Sequence, residues 1–173
     1  MKKLTFLSAL LALFLIAAPN NAQAQDGFKI GPRVTIDLGD ISDAFGGDFA
    51  LGADVRVMIE SLPVDGQASF DYYFAEDPWT VFAFDINALY PFAMEDQPFR
   101  PYVGAGLGIA RWSADVESDF GFGFSTSNTD VGINLLGGAE FPLDGFTPFA
   151  QAQFTVGGDA DRFGITGGVL FNL

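Results

Sequence analysis

Apolar and polar residues alternate along most of the chain from residue 28 onward. In the stretch "FKIGPRVTIDL", residues 28–38, every second residue is Phe, Ile, Pro, Val or Leu, and the residues between them are polar or small. A period of two residues is typical of a β-strand with one apolar face. Eight such segments follow one another, separated by clusters of Gly, Asp, Pro and Ser: residues 28–38, 49–58, 67–74, 81–90, 102–110, 130–141, 146–156 and 162–173.

Segments of about ten residues with one uncharged face are long enough to cross a bilayer as tilted strands. The sequence therefore predicts an all-β fold, an eight-stranded antiparallel up-and-down transmembrane β-barrel, with little room for helices. The connections at 61–65, 94–97 and 143–145 are short, whereas those at 39–47 and 113–128 are longer. Because short turns share one end of such barrels with both chain ends, we expect both termini to be periplasmic.

The alternation alone allows two orientations of the strands. The apolar face would line the cavity of a soluble, lipocalin-like binding barrel, but would contact lipid in a membrane barrel. Three features favour the membrane: the apolar side chains are too bulky for so small a lumen, the other face is rich in glycine, and its charges nearly balance. Enclosed charges must be paired. The sequence thus predicts an interior polar network of Lys29, Arg33, Asp54, Arg56, Asp71, Asp85, Glu140 and Arg162.

Aromatic residues cluster near the segment ends, as expected for two girdles at the membrane interfaces. One predicted girdle, near the short turns, comprises Phe92, Phe99, Phe141, Phe146 and Phe171. The other, near the longer loops, comprises Phe49, Phe74, Trp79, Trp112 and Phe163. Arg111 falls on the apolar face, so we expect it either to reach the lipid headgroups or to mark a local bulge.

The N-terminal residues predict export. Lys2 and Lys3 precede an apolar run over residues 4–18, and Ala22-Gln23-Ala24 forms a small-residue cleavage site. This pattern is typical of a secretory signal peptide, and the run is shorter than the ~20 residues of a spanning helix. We therefore predict a signal peptide at 1–24 and a barrel domain at 25–173.

Composition excludes several functions. Residues 25–173 carry 6 basic and 22 acidic side chains, a net charge of −16, so nucleic acid is not an expected partner. The chain has no Cys and no His, which removes disulfides, thiolate metal sites and the commonest general base. A carboxylate-only mechanism could use Asp54, Asp71 and Asp85, but Arg33 and Arg56 lie beside them, and ion pairing accounts for all three. We expect no enzymatic activity and no cofactor.

Gly104, Gly106 and Gly108 alternate within "FRPYVGAGLGIARW", residues 99–112. This spacing matches neither the dinucleotide-binding fingerprint nor the P-loop, and a strand follows it instead of a helix that could bind phosphate. We interpret the glycines as facing a crowded lumen. The stretches "PYVGAGLGIARW", "VFAFDINALYPF" and "FGITGGVLFNL" resemble the small outer-membrane β-barrel proteins of the OmpA-like and OmpX-like kind. The resemblance implies a barrel of the Gram-negative cell envelope. It also implies recognition of Phe171 by the barrel-insertion machinery. Because the eighth segment reaches Leu173, we expect no peptidoglycan-binding domain after the barrel.

The longer loops are acidic. Their carboxylates would gather around one rim and could hold divalent cations: Asp40, Asp43, Asp48, Glu76, Asp77, Asp115, Glu117, Asp119, Asp159 and Asp161. A solvated acidic surface explains them equally well.

The predicted function is that of an integral outer-membrane protein, a monomer among lipids. We expect a structural or surface-interaction role, a lumen filled by side chains and no open pore. Two alternatives stay open, a narrow channel or carrier for small apolar molecules and a soluble periplasmic lipocalin-like binder.

Overall fold

The computed structural model is a closed barrel of eight strands in which each strand pairs antiparallel with its neighbours in sequence and β8 pairs with β1. It describes residues 27–59, 61–92, 94, 97–117, 123–158 and 161–173. The strands are β1 Phe28–Asp37, β2 Phe49–Met58, β3 Asp65–Tyr73, β4 Trp79–Pro91, β5 Arg100–Glu117, β6 Gly123–Glu140, β7 Phe146–Val156 and β8 Arg162–Asn172. One short helix, α1, spans Asp40–Phe45. The predicted fold class is confirmed.

The two faces of the wall follow the alternation in the sequence. Phe84, Leu107 and Ile165 lie on the outer surface, 40%, 58% and 48% exposed, whereas Arg33 and Asp85 are buried inside. A barrel with this outer surface presents an apolar band to its surroundings, which suits lipid and not water. The lipocalin-like alternative, which requires the apolar face to line the lumen, is therefore wrong.

Two predicted loops contain regular structure. Residues 39–47 include α1, whose C-cap is Gly46, a residue with a φ of 63° whose N–H donates to Ser42 O. Most of the predicted loop at 113–128 is strand, because β5 continues to Glu117 and β6 begins at Gly123. The clear apolar alternation stops here, but β5 and β6 stay paired from Trp112 and Asn128 as far as Glu117 and Gly123, so the strands continue.

Two members of the girdle predicted near the longer loops point into the barrel and not outward. Trp79 lies on the same face of β4 as Val81, and Trp112 on the same face of β5 as Ala110, and both indoles pack against a buried cluster inside the barrel. The expectation of outward tryptophans is wrong because each falls on the inward parity of its strand.

Arg111 does lie on the outer surface, and no bulge is needed to place it there. It pairs with Phe82 of β4 and Thr129 of β6 in a register that continues unbroken on both sides. The bulge interpretation of Arg111 is therefore wrong, and the headgroup interpretation stays a prediction.

Among the described residues, no helix has the length and apolar character needed to cross a membrane. The predicted signal peptide at 1–24 lies outside the described residues.

Candidate functional site in the barrel lumen

The lumen is filled by a polar network to which all eight strands contribute. The structure brings all eight side chains named from the sequence into ion pairs: Lys29, Arg33, Asp54, Arg56, Asp71, Asp85, Glu140 and Arg162. Inward-facing partners that the sequence reading did not include complete the network: Asp65, Gln67, Asn87, Arg100, Tyr102, Asn134, Gln151, Thr155 and Thr166. We call the two sets together the interior network.

Glu140 of β6 is the anionic centre at the short-turn end. Its carboxylate accepts from Lys29 Nζ at 3.0 Å, Arg56 Nη1 at 2.8 Å and Arg100 Nη2 at 3.1 Å. Arg100 also reaches Asp65 of β3 at 2.8 Å. Glu140 is 1% exposed, so its charge depends on these three cations for stabilisation.

Asp54 of β2 is the anionic centre at mid-height. It accepts from Arg56 Nε at 3.0 Å and Gln67 Nε2 at 2.7 Å, and pairs with Arg33 at 3.4 Å. Arg33 continues to Asp71 of β3 at 3.1 Å. Because Asp54 shares Arg56 with Glu140, the ion pairs form one chain from the short-turn end upward.

A second branch runs through β4, β6 and β8. Arg162 Nη2 lies 2.8 Å from Asp85 Oδ1, and Asn134 Nδ2 donates to the same oxygen at 3.1 Å. Asn134 also donates to Asn87 at 2.9 Å, and Asn87 donates to Gln67 at 3.0 Å. Amide side chains thus connect this branch to the Asp54 centre.

Strand β7 joins the network through an amide and a stacked ring. Gln151 Oε1 accepts from Gln67 Nε2 and from Tyr102 Oη, both at 3.1 Å. The Arg56 guanidinium lies 4.9 Å from the ring centroid of Tyr102 and 4.3 Å from that of Phe149. At these distances both rings stabilise the cation.

The inward glycines make room for these side chains. A Cβ placed on Gly108 would overlap Arg162 Nη2 and approach Asn134 Oδ1 and Asp85 Oδ1 to 2.6 Å. The glycine is needed at this position because the ion pair of β4 and β8 passes directly over its backbone. The alternating glycines of β5 therefore serve packing, and their strand continues where a phosphate loop would require a helix.

Little free volume is left between these groups. A cavity bordered by Arg33, Asp71, Asp85 and Arg162 has a volume of about 20 Å³. Another, bordered by Lys29, Arg56, Arg100 and Glu140 among others, has about 10 Å³. Each is about the size of one water molecule.

An apolar cluster closes the lumen at the long-loop end. It consists of Ile41, Phe45, Ala50, Tyr73, Ala75, Trp79, Val81, Ala83, Ala110 and Trp112, and we call it the loop-end plug. The Phe45 ring lies 4.9 Å from that of Trp79 and 5.6 Å from that of Trp112 between centroids. Ile41, the buried residue of α1, is fully enclosed in this cluster.

Hydrogen bonds hold α1 over the lumen. Asp37 Oδ1 accepts from the N–H groups of Gly39 and Ser42 at 3.0 and 3.2 Å. Asp40 N donates to Asp161 O at 2.9 Å, and Phe45 O accepts from Glu76 N at 2.9 Å. The helix is thus fastened to the ends of β1 and β8 and to the connection between β3 and β4.

The acidic rim shows no metal-binding cluster among the described residues. Ser42 donates to Asp48, and Asp161 N donates to Asp40, so two of these carboxylates have partners from the protein itself. Asp119 and Asp159 lie outside the described residues. A divalent-cation site on this rim stays a prediction.

Some of the additional partners in the interior network could be placed in the lumen from the sequence alternation alone. Tyr102, Gln67, Gln151 and Asn134 have the inward parity of their strands, so the alternation placed them in the lumen without showing which charge each would contact. Arg100 and Asp65 stand at strand ends, where parity is hardest to assign. Because both residues lie beside short turns, the alternation does not show that they face the lumen.

Solved structures similar to this one are bacterial outer-membrane proteins. The N-terminal β-barrel domain of OprF from Pseudomonas aeruginosa is 19% identical, with 87% of this chain and 100% of that chain covered and a TM-score of 0.62. Neisserial surface protein A, NspA, is 16% identical, with 86% and 98% covered and a TM-score of 0.65. Ail, the attachment invasion locus protein of Yersinia pestis, is 16% identical, with 85% and 97% covered and a TM-score of 0.57. These low identities establish a shared fold. No curated protein matches the sequence.

The sequence itself matches a family model over almost its whole length. The model of the outer membrane protein β-barrel domain covers residues 7–171. This match agrees with the closed eight-stranded barrel, the apolar outer band and the charged, filled lumen. The chain therefore belongs to the outer membrane protein β-barrel domain family.

Proposed function

We propose that the protein is a non-catalytic component of the outer membrane, with a lumen closed to solutes and a structural or surface-contact role. The interior network carries this proposal. Its ion pairs and amides join all eight strands, and the cavities beside them, about 20 and 10 Å³, hold about one water each. Such a barrel is stiffened by its contents and offers no route for a hydrated solute.

The pairing of the lumen carboxylates argues against a reaction centre among the described residues and supports a non-catalytic role. Asp54, Asp71 and Asp85 were the carboxylates that could have formed one, and each pairs with an arginine inside the barrel. No cofactor is required for the role we propose.

The orientation we propose places both termini in the periplasm. The connections β2–β3, β4–β5 and β6–β7 lie at the end of the barrel that holds residue 28 and residue 172, and they are short. The opposite end carries α1 and the extended β5–β6 hairpin. The β3–β4 and β7–β8 connections at this end are as short as β6–β7, so the proposal depends on α1 and the long hairpin, which resemble the longer extracellular loops of outer-membrane barrels.

The β5–β6 hairpin supports a surface-contact role. Pairing of β5 with β4 stops at Ala114, and pairing of β6 with β7 stops at Ile133, whereas β5 and β6 stay paired as far as Glu117 and Gly123. Residues 124–129 of β6 are exposed on both faces. The hairpin thus extends beyond the wall of the barrel and presents hydroxyl and amide groups to the outside.

Conductance measurements test the closed lumen. Purified protein reconstituted into planar bilayers should give no conductance steps above the lipid background. A variant carrying Arg56→Ser and Glu140→Ser removes two large side chains from the lumen and should conduct if it folds, which a heat-modifiable shift on a detergent gel reports. Stepwise conductance by the unmodified protein would overturn the closed lumen.

One observation favours the carrier alternative. An apolar groove of about 440 Å³ lies at the short-turn end, lined by Pro91, Phe92, Met94, Gln97, Pro98, Phe99, Arg100 and Pro142. A carrier would have to link this groove to the lumen or to the lipid. Uptake of a small apolar dye into vesicles, faster with the protein than without it, would support this alternative, and equal rates would exclude it.

A further inference from the structure

Arg111 differs from every other basic side chain in the described part of the chain. The remaining five form ion pairs inside the barrel: Lys29, Arg33, Arg56, Arg100 and Arg162. Arg111 is exposed on the outer surface, and no described carboxylate lies within ion-pair distance of it. Within its described part, this strongly acidic chain thus places one cation on the outside of the barrel wall.

The height of Arg111 on the barrel coincides with a change in the outer surface. One outward position closer to the middle of the barrel, Ile109 and Val131 face each other across β5 and β6, 41% and 53% exposed. One outward position closer to the hairpin tip, the facing residues are Ser113 and Ser127. Arg111 therefore stands at the boundary between the apolar band and the hydroxyl-bearing hairpin, the level at which lipid headgroups meet a membrane barrel.

Two hydroxyls of β6 orient the guanidinium at this boundary. Arg111 Nη1 donates to Thr129 Oγ1 at 3.2 Å, and Nη2 donates to Ser127 Oγ at 3.3 Å. Since both partners lie toward the hairpin tip or level with Arg111, the side chain is held along the wall and away from the apolar band. An arginine has five N–H donors, so three remain for another acceptor, and each hydroxyl keeps a hydrogen to donate.

These donors fit a phosphate. A guanidinium binds phosphate oxygens through two parallel hydrogen bonds, and such charged hydrogen bonds are stronger than neutral ones. A lipid phosphate fits better than free phosphate for two reasons. Its acyl chains would lie on Ile109 and Val131 directly below, whereas the net charge of −16 for residues 25–173 repels an unattached anion.

We propose that Arg111, Ser127 and Thr129 bind the phosphate of a lipid headgroup in the leaflet on the long-loop side. Lipid binding at this site requires only that the barrel is inserted in a membrane, in either orientation. Its assignment to the outer leaflet also rests on the orientation proposed above.

Lipid binding by the purified protein tests this site. Protein in uncharged detergent is titrated with phosphatidylglycerol, and native mass spectrometry gives the apparent dissociation constant of the first bound lipid. Arg111→Gln should weaken it about tenfold, because the charged hydrogen bonds from the guanidinium to the phosphate are lost. Ser127→Ala combined with Thr129→Val keeps the charge and should weaken binding less. Gln97→Glu makes the same charge change in an exposed residue at the opposite end of the barrel and should leave binding unchanged.

Two further measurements distinguish the possible sources of phosphate and the possible failures. Excess inorganic phosphate should not displace the lipid, and complete displacement would identify a site for free anions instead. A diacylglycerol, which lacks phosphate, should bind the Arg111→Gln variant and the unmodified protein equally. Equal phosphatidylglycerol binding by both proteins, each heat-modifiable and therefore folded, would overturn the site. Conductance by the unmodified protein would overturn the closed lumen but would not affect the proposal of a lipid site at Arg111.

Discussion

The interior network and the loop-end plug fill the same cylinder with opposite chemistry. The network joins strand to strand through ion pairs of 2.8–3.4 Å. The plug joins a helix to the strands through aromatic and aliphatic contacts, with Ile41 fully buried. Buried charges attract one another more strongly where water is excluded. The comparison indicates a division of roles in which the network cross-links the wall and the plug keeps water away from it.

The largest expected effect comes from removing the anionic centre of the network. Glu140→Gln keeps the shape of the side chain but removes the negative charge that pairs with three cations. One of these, Lys29, has no other ion pair among the described residues. Breaking a buried pair by removing one partner costs about 3–5 kcal/mol. We expect a loss of that size in the free energy of unfolding, measured by urea titration in lipid vesicles.

Asp144→Asn is the matched control for this substitution. Asp144 lies in the exposed β6–β7 turn near the same end of the barrel, and its replacement also removes one negative charge. It should change stability by less than about 0.5 kcal/mol. Equal effects of the two substitutions would show that net charge, and not the buried ion pairs, determines stability.

The plug should be the weaker of the two regions. Phe45→Ala removes the ring that contacts both Trp79 and Trp112. Because Phe45 is only partly buried, we expect a loss of about 2–3 kcal/mol, at or below the lower end of the range for a phenylalanine in a closed core. Asp43→Ala, an exposed position on the same helix, should cost little. Backbone amide hydrogen exchange should also accelerate in the middle of the strands in Phe45→Ala. Unchanged exchange there would show that the plug does not protect the network from water.

The sequence was sufficient to place eight charged residues of the network inside the barrel, but it identified neither the other nine members of the network nor the plug. Alternation fixes the face of each residue, so Lys29, Asp54 and Glu140 could be placed inside, and the need to pair enclosed charges linked them. The plug depends on a helix in a connection and on Trp79 and Trp112, which lie beyond the segments with clear alternation. A tryptophan near a strand end fits an interface girdle as well as a lumen, and only its parity along an extended strand decides between the two.

Gly108→Ala tests how tightly the network is packed, with a smaller expected effect. The added methyl group must displace Arg162 Nη2 or Asp85 Oδ1, and inserting a methyl group into a filled interior costs about 1–3 kcal/mol. Gly137→Ala is the control, because a Cβ on this outward glycine meets only Tyr102 O at 3.8 Å. The control should be neutral or slightly stabilising. Equal losses for both variants would mean that backbone freedom, and not space, requires glycine at 108.

The smallest expected effect lies where the two regions meet. Asp37, at the end of β1, accepts hydrogen bonds from the N–H groups of Gly39 and Ser42 and so fixes the start of α1, the helix that carries Phe45 into the plug. Asp37→Ala removes both bonds and should cost about 1 kcal/mol, with faster hydrogen exchange in α1 than in the strands. Asp37→Asn keeps an acceptor oxygen and should retain most of the protection. If Asp37→Ala instead accelerated exchange around Arg162 and left α1 unchanged, Asp37 would belong to the network, and the boundary between the two regions would lie higher in the barrel.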